Sequence, residues 1–78
     1  MAMERKRNRL IYALKEYMSQ EQIDNTVKEI KNSFEVVKDN PDYDQNDEEC
    51  QIVYRMCEEL YICDMLNMIL KNKKANKH

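Results

Sequence analysis

The chain has 78 residues and 9.5 kDa, with 42% apolar and 36% charged side chains and a formal net charge of −2, which is the size of one domain. No run of about 18 uncharged apolar residues offers a membrane span, and the start MAMERKRNRL lacks the apolar stretch of a secretory signal, so a cytoplasmic chain is expected. Absence of glycine and a single histidine, His78, disfavour phosphate-cradling loops, dinucleotide turns and imidazole chemistry.

The first helix is predicted over about residues 3–18, because Leu10, Ile11, Leu14, Tyr17 and Met18 share one face at helical spacing. Ser19 followed by Gln22 has the form of a capping box, so a second helix is expected from residue 20 to about 39. Its apolar positions, Ile23, Val27, Ile30, Phe34 and Val37, form a narrow seam on an otherwise polar surface apart from Val36. No glycine marks the turn between the two, so whether they meet in a corner or a hairpin stays open. Asn40–Pro41 stops the second helix and opens an acidic loop over 40–46. Asn46 or Asp47 then caps a third helix running to about residue 73, with acids at its start and lysines at its end, as the helix dipole favours.

On a helical projection the third helix carries two apolar stripes. One holds Cys50, Tyr54, Cys57, Tyr61, Met65 and Met68; the other holds Ile52, Met56, Cys63, Leu66 and Leu70. Two short one-sided helices are expected to cover one stripe, leaving the other for a partner. The fold class is therefore all-α, a three-helix bundle of one domain over 1–78, dimerising through the long third helix. Because Tyr and Met are enriched at interfaces, Tyr54, Tyr61, Met65 and Met68 are placed outward as the partner-binding set. The opposite assignment stays open.

No motif carries catalysis, a cofactor or a metal. Asp42, Asp44 and Asn46 imitate the start of a calcium loop, but Asp47 stands where glycine is needed and Val53 where a bidentate glutamate is needed. Cys50 and Cys57 are about 10 Å apart along one helix and Cys63 points elsewhere, too far for a zinc site or a disulfide, so packed, reduced thiols are expected. The carboxylates Glu48, Glu49, Glu58, Glu59 and Asp64 read as helix surface rather than as an acid–base pair. Charge runs basic, acidic, basic along the chain. In an up-down-up bundle the acidic loop would sit beside the basic start of the first helix and pair with it.

The expected function is a small non-enzymatic regulator, adaptor or inhibitor of another protein, acting through a helical apolar surface as a homodimer. The alternative is nucleic-acid binding by Arg5, Lys6, Arg7 and Arg9 along phosphates, with Lys71, Lys73, Lys74 and Lys77 as a second contact. Against it, no recognition helix can be located. The Asn, Lys and Ile content suggests an AT-rich genome, such as that of a low-GC bacterium or its phage.

Overall fold

The second and third helices begin where a side chain satisfies an orphan amide. The computed structural model describes residues 2–76, with side chains from residue 5 onward; Lys77 and His78, named above, lie outside the described residues. Its regular structure is all helical: α1 is Ala2–Leu14, α2 is Gln20–Phe34 and α3 is Glu48–Ala75, with a 3₁₀ turn over Glu35–Asp39 after α2. Ser19 Oγ accepts from the Gln22 amide at 3.2 Å and Gln22 Oε1 accepts from the Ser19 amide at 2.9 Å, which completes the capping box. Asp47, not Asn46, caps α3, its Oδ1 accepting from the Glu49 amide at 3.0 Å.

Both short helices end earlier than their apolar spacing predicts. The first stops at Leu14, whose carbonyl accepts from the Tyr17 and Met18 amides, each at 2.9 Å. Extended backbone at Ser19 has to be reached within a few residues, so the last turn unwinds, and Tyr17 and Met18 still pack against the core. The second stays α-helical only to Phe34. Beyond it the chain tightens into the 3₁₀ turn, closed by the Asn40 amide on the Val37 carbonyl at 3.1 Å, since the residue before Pro41 must be extended. The acidic loop then bonds to itself. Asn40 Oδ1 accepts from the Asp42 amide and Asp44 Oδ1 from the Asn46 amide, both at 2.9 Å.

Both α1 and α2 pack chiefly on α3. Arg7 meets Glu59 while Tyr17 and Met18 share a depression with Lys73, so α1 runs in the direction of α3. Gln22 and Thr26 line that same depression and Phe34 lies on Tyr54 and Tyr61, so α2 runs the opposite way. The bundle is up, down, up.

That arrangement corrects two expectations. The core joins Leu14, Ile23 and Ile30 to Ile62, Leu66 and Leu70, and Ile69 packs beside it. Ile62 and Ile69 belong to neither stripe; they lie between the two, and the core is centred there. The short helices therefore take one flank each over the C-terminal part of α3. Cys63, Leu66 and Leu70 are buried on one flank, while Tyr61 and Met65 are half-buried on the other. In addition, the basic start of α1 does not pair with the acidic loop although the bundle runs up, down, up, because α1 is offset along α3 and brings Arg7 to the middle of α3 instead, 2.6 Å from Glu59.

Candidate functional site

What the short helices leave bare lies mostly in the first half of α3. Ile52 is 51% exposed, Val53 57%, Met56 50% and Leu60 49%, with Met68 at 58% further along. Positions 53, 56 and 60 follow three-four spacing and so form one row, with Ile52 beside it. Four apolar side chains within nine residues make a continuous strip, in which Val53 and Leu60 face away from Ile62 and Leu66 while Ile52 and Met56 continue the Cys63–Leu66–Leu70 flank toward the start of α3, where it is left bare.

Of the residues placed outward on sequence grounds, Met68 is exposed and the other three are half-buried by this chain's own contacts. Phe34 stacks obliquely on Tyr54 and Tyr61, with ring centroids at 5.2 and 5.3 Å, and Tyr43 closes on Tyr54 at 5.5 Å. Lys38 Nζ lies 5.1 Å above the Tyr54 ring, a cation–π contact that folds the 3₁₀ turn over the start of α3. Burial, followed by the charges of Glu58 and Glu35, pushes the Tyr54 phenol above its ordinary pKa. Tyr61 and Met65 pack against the core cluster.

Val53 and Leu60 are in neither stripe, and sequence reasoning missed them. Their signal was present in the seven-residue spacing from Val53 to Leu60 with Met56 between. It was masked because the two larger stripes were compared only with each other.

Cysteines occupy three environments rather than one packed set. Cys50 is half-buried under the acidic loop, its thiol directed at the Asp42 carbonyl at 3.7 Å and accepting from the Asp44 amide at 3.5 Å. Cys57 is exposed, and Cys63 is buried, its pKa raised first by that burial. Among the described residues no group of three or more His, Cys, Asp or Glu side chains is placed to hold a metal ion, and no helix is long and apolar enough to cross a membrane.

Arg5, Lys6 and Arg9 are exposed on α1, whereas Arg7 is held by Glu59. Lys71, Lys73 and Lys74 are exposed near the far end of α3, and Lys73 lies beside Tyr17 and Met18 rather than beside the start of α1. The two basic clusters stay at different levels of the bundle. Comparison with protein-family models, with curated proteins and with solved structures finds no match for this chain.

Proposed function

We propose that this chain is a non-enzymatic protein-binding module, a regulator, adaptor or inhibitor of the cytoplasm, which works as a homodimer through the outer face of α3. The observation that carries the reading is the strip of Ile52, Val53, Met56 and Leu60, each about half exposed and contiguous on one helix. Removing such a strip from water contributes about 25 cal/mol for each Å² of apolar surface covered. A bundle this small has little core to spare for stability, so covering the strip by association is the economical arrangement.

Sedimentation equilibrium at micromolar concentration tests it. The wild-type chain should sediment as a dimer, and Leu60→Lys as a monomer of unchanged helicity. A wild-type monomer throughout that range overturns the homodimer.

A second reading, nucleic-acid binding, is supported by exposed Arg5, Lys6 and Arg9, which lie within about one and a half turns of α1. Retention of random duplex with a steep salt dependence would favour it, and no retention at low salt would end it.

A further inference from the structure

The outer face of α1 combines positive charge with an uncovered aromatic ring. Leu10, Ile11 and Leu14 turn toward the core and Arg7 toward Glu59, so Arg5, Arg9 and Tyr12, at i, i+4 and i+7, form a row on the opposite side. Lys6 and Asn8, both exposed, flank it. Tyr12 is 77% exposed, the most open of the described large apolar side chains, whereas Tyr17, Tyr43, Tyr54 and Tyr61 are all half-buried. Packing within the chain gives no reason for its ring.

Intramolecular pairing gives no reason for the cations either. Among the described residues no carboxylate pairs with Arg5, Lys6 or Arg9, and Glu16 follows the row only after α1 has ended at Leu14. Arg5 and Lys6 stand in the first turns of α1, the end at which a helix dipole favours anions, so their placement opposes the helix and suits a bound negative charge.

We propose that this face binds single-stranded nucleic acid, with Arg5, Lys6 and Arg9 along the phosphates and the Tyr12 ring stacked on a base. The inference rests on the nucleic-acid reading above and adds the form of the strand and the side chain that selects it. Arg5 and Arg9 are about 6 Å apart along the helix axis and Tyr12 lies about 4.5 Å further, so one short stretch of strand reaches all three. A duplex keeps its bases stacked on one another and presents only phosphates to such a face, whereas an open strand offers both charge and a base plane. Stacking also needs no recognition helix.

Fluorescence anisotropy with labelled oligothymidine and with a random duplex, at matched salt, tests the assignment. The wild-type chain should hold the single strand roughly ten-fold tighter than the duplex. Tyr12→Ala should lose about ten-fold on the single strand with an unchanged salt slope, Tyr12→Phe should keep the binding, and Arg9→Ala should weaken both ligands and lower the single-strand slope by about 0.7. Because Tyr12 lies in solvent, the circular dichroism of Tyr12→Ala should match that of the wild type. Equal affinity for the two forms, untouched by Tyr12→Ala, overturns the stacking and leaves nucleic-acid binding standing. Binding to neither at low salt overturns both. Tyr12-dependent binding to phosphatidylserine vesicles without oligonucleotide binding also overturns both and assigns the face to an anionic membrane surface.

Discussion

Arg7 Nη1 lies 2.6 Å from Glu59 Oε1, a pair that joins the first half of α1 to the middle of α3. Both side chains are largely buried, and the second carboxylate oxygen of Glu59 is shielded from solvent without a hydrogen-bond partner. Glu59 is thus already short of partners on one side.

Arg7→Ala should therefore cost about 1–3 kcal/mol, more than an exposed pair would, because it strands a half-buried charge. Replacing both residues by Met should cost less than the single change, since the desolvated charges disappear together. Urea unfolding of the three variants checks the order. A single variant no less stable than the double would assign the pair to the surface class worth about 0–1 kcal/mol.

Ser19→Ala is expected to destabilise the chain by about 1 kcal/mol, the usual cost of losing an N-cap oxygen. It leaves the Gln22 amide without its acceptor at the start of α2. Gln22→Ala should cost less, since the Ser19 Oγ cap on the backbone amide of residue 22 stays in place. Thermal melts of both variants measure the difference.

These local features could be read from the chain because each depends on residues three or four apart. Ser19 with Gln22, Asp47 ahead of the two glutamates and the Asn40–Pro41 stop all lie where the spacing puts them. The centre of the core could not be read in the same way. Ile62 and Ile69 are flanked by two apolar stripes of similar size, and only the landing sites of α1 and α2 decide which direction is inside. The ends of the short helices failed for a related reason. Periodicity records which side chains face inward, and Tyr17 keeps helical spacing and packs on the core even where the backbone has left the α-helix, whereas Val37 follows the spacing of α2 yet is exposed.

The Tyr54 phenol gives a pH test whose sign follows from its environment. Its folded pKa is raised above the ordinary 10.0, so the folded chain holds the proton more tightly than the unfolded chain. The stability this contributes is fully present below pH 10 and is lost as pH rises through the folded pKa. Spectrophotometric titration should find a phenol ionising above its ordinary pKa, and Tyr54→Phe should remove that late step. A profile unchanged in the Phe variant would assign the late step to another tyrosine.

Thiol labelling should follow burial. Cys57 is exposed, Cys50 lies half-buried under the acidic loop, and Cys63 is buried with a raised pKa, so at Cys63 the reactive thiolate is both disfavoured and out of reach. Under native conditions Cys57 should react first and Cys50 more slowly. Cys63 should wait for global opening, and denaturant should bring all three to one rate. Fast native labelling of Cys63 would mean that α1 lifts from α3 without unfolding of the rest.

The two faces of α3 give the most direct test of which side is core. Leu66 is fully buried between the short helices, and Leu60, six residues earlier, is half exposed on the opposite side. Leu66→Ala should cost about 2–5 kcal/mol through lost burial and the cavity left behind. Leu60→Ala, measured at concentrations low enough for a monomer, should stay within about 0.5 kcal/mol, the range of ordinary surface changes. Tyr61→Glu separates the aromatic side from both, because it forces a carboxylate against Phe34 and the core cluster. It should unfold the chain rather than simply dissociate a dimer, with helicity falling as association is lost. A well-folded Tyr61→Glu monomer would instead place Tyr61 in the interface and hand the partner-binding role back to the Tyr54, Tyr61 and Met65 flank of α3.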